Sequence, residues 1–171
     1  MSRSAGRPLR FWRHLATDHR SARRAFPKAA LTRIEAAITE GERQHSGQIR
    51  FVVEPALPLG RVMKGLPRRE RALEVFGLLR IWDTEHNAGV LVYLLLADRG
   101  VEIVADRGIH RKVGDEQWSA LCRRMETAFR EGRFAAGVEA GIAEINALLV
   151  QHFPRDDRAV ANELPDRPLI L

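Results

Sequence analysis

The stretch from Gly89 to Ala105 constrains the fold more than any other part of the chain. Val90 to Ala97 is a continuous apolar run, Asp98-Arg99-Gly100 is a compact turn, and Val101 to Ala105 is a second β-branched run. An eight-residue apolar run is too short for a bilayer span, which needs ~20 residues, and fits a strand buried on both faces. The turn then makes the two runs an antiparallel hairpin.

A second strand signal lies upstream. Ile49 to Glu54 is β-branched and aromatic and is ended by Pro55. Between it and the hairpin, Pro55 to Pro67 holds three prolines and two glycines and reads as a loop. Arg69 to Trp82 then carries Ala72, Leu73, Phe76, Leu79 and Trp82 at helical spacing. A strand, a helix and a strand in that order predict a parallel, right-handed crossover. Leu31, Ile34 and Ile38 mark a helix before the first strand. After the hairpin, Arg107 to Gly114 reads as a loop. A helix striped by Trp118, Leu121, Met125 and Phe129 follows, capped by Asp115, then one carrying Val138, Ile142, Ile145 and Leu149. The expected architecture is a three-layer α/β/α sandwich, with a small mixed sheet made of a parallel βαβ crossover and the antiparallel hairpin.

Length is consistent with one such unit, since 171 residues is near the usual size of a domain. The expected organisation is a basic helical segment over 1–46, an α/β core over 47–154 and an extended tail over 155–171. The segment before Leu31 has eight Lys or Arg against Asp18 alone, although the whole chain carries only +6. From Leu9 to Arg24, Trp12, Leu15, Ala16 and His19 lie at helical spacing among arginines, which reads as a short amphipathic helix with an apolar stripe. Solvated surface, an anionic membrane and nucleic acid are all partners for such a helix. Base-stacking aromatics on strands are not evident, which weakens the last. No apolar leader segment is evident at the N-terminus, so a cytoplasmic protein with peripheral membrane association is expected.

Established catalytic signatures are missing from the sequence. It has no phosphate-binding glycine loop before a helix, no Gly-x-Ser-x-Gly elbow and no His-Glu-x-x-His pattern. The single Cys122 excludes an internal disulfide and falls beside Leu121 in a helical stripe, as a half-buried small hydrophobe would. Chemistry must come from residues that the topology gathers. With the first two strands parallel, Glu54 and Asp98, with Arg99, share the edge at which ligands of α/β sheets bind. The opposite edge gathers Asp83, Thr84, Glu85, His86 and Asn87 with Asp106 and Arg107, and His45 and Ser46 join it. Asp115 lies eight residues after Arg107. Asp83, Asn87, Asp106 and Asp115 together suit a hard-oxygen site for Ca²⁺ or Mg²⁺, and Arg107 suits an anion. A salt-bridge network between two loops uses the same residues equally well.

The ordered set QIRFVVE, RALEVFGLLRIWDTEHNAGVLVYLLLADRGVEIVADRGI and FREGRFAAGVEAGI resembles the TPM-domain family over about two-thirds of the chain, Ile49 to Phe153. Asn87 and Gly89 match its Asn-x-Gly before the second strand. Asp98 and Arg99 match its Asp-Arg, and Asp115 its acidic helix start. Where typical members have Gly-aromatic-Gly after the third strand, this chain has Asp106-Arg107-Gly108-Ile109. The resemblance implies an α/β sandwich and a divalent cation. It implies as partner either a LemA-type membrane protein or another protein, and in some members an acid phosphatase acting on phosphate monoesters.

Overall fold

In a computed structural model, the structure describes residues 6–84, 86–155 and 162–171. Four strands form one mixed sheet in the order β3-β2-β1-β4. Strand β1 (Gln48–Glu54) runs parallel to β2 (Gly89–Leu95), from Gln48 opposite Gly89 to Glu54 opposite Leu95. Strand β3 (Gly100–Ala105) returns antiparallel along β2 after a 3₁₀ turn at Leu96–Asp98. Arg99 has φ 49°, a left-handed conformation that closes the hairpin.

The pleat sorts β1 into two layers. Ile49, Phe51 and Val53 enter one core with α3 (Lys28–Glu42), α7 (Asp115–Arg130) and α8 (Phe134–His152). Val52 enters the other, with Leu57, Tyr93 and helices α4 (Leu59–Met63) and α5 (Arg68–Leu78). Every residue of β2 is buried, as its unbroken apolar run requires. The sandwich with a parallel crossover pair and a hairpin is therefore the observed architecture.

Several local expectations are corrected. The basic segment is two helices, α1 (Gly6–Ala16) and α2 (His19–Ala25), because the Asp18 carboxylate accepts from the Ser21 N–H at 2.8 Å and starts a new helix. Its apolar stripe faces solvent: Trp12 and Leu15 are exposed, while His14 is buried and Phe11 packs on the α4/α5 layer. The supposed loops at 55–67 and 107–114 contain α4 and α6 (Arg107–Val113), each shorter than the periodicity of a sequence window can register. Helix α5 stops at Leu78, its buried positions are Ala72 and Val75, and Trp82 lies outside the core, half-exposed. Asp115 does not cap α7, whose N-cap is Gly114 at φ 85°.

Helix α8 is apolar along much of its length. Among the described residues it alone is long and apolar enough to cross a bilayer, by length and composition. Its stripe Val138, Ile142, Ile145 and Leu149 is instead completely buried in the core. Gly141 allows that packing, since a Cβ there would stand 2.6 Å from the Met125 sulfur of α7.

The tail ends as β4 (Leu169–Ile170), parallel to β1 on its outer side, with Leu171 N–H bonded to the Val53 carbonyl at 2.9 Å. Gln48 Oε1 accepts from the N–H groups of Glu163 and Leu164 at 2.9 and 3.1 Å. Arg50 Nη1 donates to the carbonyls of Pro165 and Arg167, both at 2.5 Å. The edge of β1 is thus covered by the chain itself, which removes an open pairing surface.

Candidate functional site: two loop edges of the sheet

At the carboxyl end of β1, Glu54 is 5% exposed and fully engaged. The Arg71 guanidinium of α5 forks onto both carboxylate oxygens at 2.8 and 3.0 Å, and the Tyr93 hydroxyl donates to Oε2 at 2.6 Å. Burial, and then the Glu54 carboxylate, raise the Tyr93 phenol well above its usual range, so it stays a donor. The hydrogen bond to Glu54 likewise raises Arg71 above the usual guanidinium range. Arg71 continues the network to Glu74 at 3.0 Å, which Arg61 grips at 2.6 Å.

Asp98 ends the 3₁₀ turn on the same side, where the Ala97 N–H bonds the Pro55 carbonyl at 3.0 Å. Arg10 reaches it from α1 with Nε and Nη2 at 3.0 and 2.9 Å. His14 Nε2 lies 3.0 Å from Oδ1, and His14 Nδ1 accepts the Leu57 N–H at 2.9 Å. Because Nδ1 is an acceptor, the proton is on Nε2 and is donated to Asp98. Burial alone would raise the Asp98 carboxyl, but the bonds from His14 and Arg10 prevail and hold it at about 2. Glu54 and Asp98 are therefore the anchors of α5 and α1. Arg99 points elsewhere, 3.4 Å from the Arg130 carbonyl.

The opposite edge is less saturated. Asp83 is half-exposed and pairs with Arg80 at 2.7 Å. Thr84 is buried, and its Oγ1 accepts the Ala88 N–H at 2.9 Å, closing a turn in which Asn87 has φ 50°. Gly89 must be glycine, since a Cβ would stand 2.1 Å from the Ile81 carbonyl oxygen. The Asp106 N–H bonds the Gly89 carbonyl at 2.8 Å, which ties the two loops together.

Asp106 Oδ1 accepts the Arg107 N–H at 2.7 Å, capping α6. Its Oδ2 is buried and has no hydrogen-bond partner among the described residues. A Cβ on Gly108 would stand 3.0 Å from the Asn87 carbonyl oxygen, a tight approach, and 3.7 Å from that of His86, an ordinary contact. The Arg107 side chain is exposed.

Asp115 is apart from this group. Its side chain is 89% exposed and 3.4 Å from His110. Among the described residues, no three His, Cys, Asp or Glu side chains converge as an ion would require; Glu85 lies outside those residues. His45 is buried with Nε2 3.0 Å from Asn146 Oδ1, and burial lowers its proton affinity.

A cleft of about 370 Å³ lies between α5, the edge of β3 and α7. Arg68 crosses it to Glu102 and Glu126, at 3.0 and 2.8 Å. Cys122 lines it, and burial pushes its thiol up to about 11, leaving a protonated, weak nucleophile at neutral pH.

Arg10, His14, Arg71 and Tyr93 were not identifiable as site residues from sequence. Their partners lie 88, 84, 17 and 39 positions away, and no local spacing announces such pairs.

The NMR structure of the BA42 protein from the psychrophilic bacterium Bizionia argentinensis superposes on this fold with a TM-score of 0.73. The two are 27% identical, over 84% of this chain and 93% of that one. No curated protein matches the chain. The sequence model of the TPM domain matches residues 22–148, most of the chain, and the protein belongs to the TPM-domain family.

Proposed function

We propose that this TPM-domain protein binds a divalent cation, Ca²⁺ or Mg²⁺, where the 83–88 turn meets Asp106, and that it works through a protein partner, for which a LemA-type membrane protein is the family's suggestion. The observation that carries this reading is the buried Oδ2 of Asp106, which has no partner among the described residues. A buried carboxylate oxygen with no donor is costly, and a cation is one way to satisfy it. The Asn87 carbonyl comes close to Gly108, two residues further on, and is a hard oxygen of the kind that such ions take. Asp83 and Asn87 belong to the same turn. One carboxylate with carbonyls and water makes a weak site, with Kd on the order of 10⁻⁴–10⁻³ M.

Titration of isotope-labelled protein with Ca²⁺ and then Mg²⁺ tests this by NMR. Saturable shifts confined to 83–88 and 106–115, lost in Asp106→Asn, are expected. Silence at about 10 mM metal, an order of magnitude above that range, would overturn the reading, as would unchanged binding by the Asn variant.

The exposed Arg107 beside this edge favours a second reading, a metal-assisted phosphatase. There the ion would polarise a phosphoryl oxygen while Arg107 steadies developing charge. Hydrolysis of a small phosphate monoester that survives Asp106→Asn and Arg107→Gln undiminished would dismiss it.

A further inference from the structure

Helix α1 is mounted with Arg10, His14 and Phe11 inward and with Leu9, Trp12 and Leu15 outward. The inward side is fixed by three kinds of bond: Arg10 forked on Asp98, Arg10 Nη2 on the Leu66 carbonyl at 3.1 Å, and His14 bridging Asp98 and the Leu57 N–H. The outward side presents Leu9, Trp12 and Leu15, which are 55%, 63% and 53% exposed. These three follow one another at i, i+3 spacing and so form one strip on the helix surface. Met63, on the neighbouring α4, is 72% exposed.

Single exposed apolar side chains need no explanation, but a strip of three on a rigidly held helix marks an interaction surface. The surrounding charge identifies the partner. Arg13 sits one turn from Leu9, and Arg20, Arg23 and Arg24 follow on exposed positions of α2. None of these four has a salt-bridge partner among the described residues. The one acidic residue in the segment, Asp18, is occupied in capping α2. Exposed arginines in the same segment as exposed Trp and Leu are the composition of a helix lying in the headgroup region of an anionic bilayer. There the indole sits at the interface and the arginine stems bury while their heads meet phosphates.

We propose that the α1–α2 face is an anionic-membrane docking surface, with Leu9, Trp12 and Leu15 as its inserted strip and Arg13, Arg20, Arg23 and Arg24 as its electrostatic rim. Docking is peripheral and reversible, because the strip is short and the helix stays anchored to Asp98. This surface is separate from the Asp106 edge and stands or falls independently of cation binding.

Co-sedimentation of the full chain with vesicles of phosphatidylglycerol and phosphatidylcholine, against phosphatidylcholine alone, tests it. Binding should require the anionic lipid and weaken between about 50 and about 500 mM NaCl as the Debye length contracts. The L9S/W12S/L15S variant should partition at least about tenfold more weakly, since interfacial binding scales with buried apolar area. Circular dichroism checks its fold, and the substituted side chains are more than half exposed. R20Q/R23Q/R24Q should lose the lipid selectivity. Failure of the wild-type protein to bind anionic vesicles would overturn the proposal. So would binding unaffected by the serine triple, which would leave only diffuse charge attraction. Self-association in sedimentation velocity that the serine triple abolishes, without vesicle binding, would assign the strip to a second copy instead.

Discussion

Glu42 is the buried carboxylate whose environment least suits a charge. It is the last residue of α3, at the negative end of that helix, and is 7% exposed. Burial raises its carboxyl from 4.5 to about 8, and Asp166 adds to this, against the lowering effect of the Ile49 N–H, which donates to Oε1 at 2.7 Å. The folded state therefore holds a proton that the unfolded chain releases near 4.5. Stability contributed by this group is fully present below that pH, falls as pH rises, and stops falling above about 8. At about 1.4 kcal/mol per tenfold difference in proton affinity, the loss is on the order of 3–5 kcal/mol, a sizeable part of a typical ~5–15 kcal/mol total. Glu42→Gln keeps an acceptor for the Ile49 N–H and removes the titration. Urea unfolding at pH 5, 7 and 9 should show the variant close to wild type at pH 5 and more stable by a few kcal/mol at pH 9. The difference between the two proteins isolates Glu42 from every other titrating group. Equal pH dependence in both, or a Gln variant that is the weaker protein at pH 9, would refute the argument.

Asp98→Asn should cost about 2–3 kcal/mol by denaturant unfolding and speed amide exchange through α1, because it strips Arg10 of its partner in a half-buried site. The stability from Asp98 itself is present above 3.8 and is lost as pH falls through about 2, so amide protection in α1 should drop as pH approaches that value. Gly89→Ala should destabilise by more than about 3 kcal/mol, since its Cβ would lie 2.1 Å from the Ile81 carbonyl. Gly60→Ala, with open space around it in α4, should raise stability by about 0.5–1 kcal/mol, and thermal melts of the pair check both. Tyr93→Phe removes one donor from buried Glu54 and should cost about 1–2 kcal/mol in the same assay.

The strands and their pairing were legible because β2 is apolar at every position and the Asp98-Arg99-Gly100 turn leaves one partner for β3. Burial on both faces needs helices on both faces, and the periodic segments around the hairpin supplied them. The candidate edges were legible only as lists of residues near strand ends. The structure divides those lists: Glu54 and Asp98 are saturated by arginines, Asp115 is turned to solvent, and Asp106 keeps one buried oxygen without a partner among the described residues. Side-chain direction and distant partners decide that division, and neither leaves a mark in local spacing.

Helix α1 shows the same boundary most clearly. Its amphipathic character is written in the sequence, and the natural expectation puts Trp12 and Leu15 inward. Tertiary structure reverses it, because Arg10 and His14 meet a carboxylate 88 and 84 residues away, and an ion pair held at two points orients a helix against its apolar preference. The sequence by itself determined the three central strands, their parallel and antiparallel pairing and the long helices that flank them, since periodicity and turn chemistry are local properties, while α4, α6 and β4 left no such mark. Tertiary structure alone decided which carboxylates are neutralised, which carboxylate oxygen has no donor among the described residues, and which face of α1 meets solvent, since each depends on groups far apart in the chain.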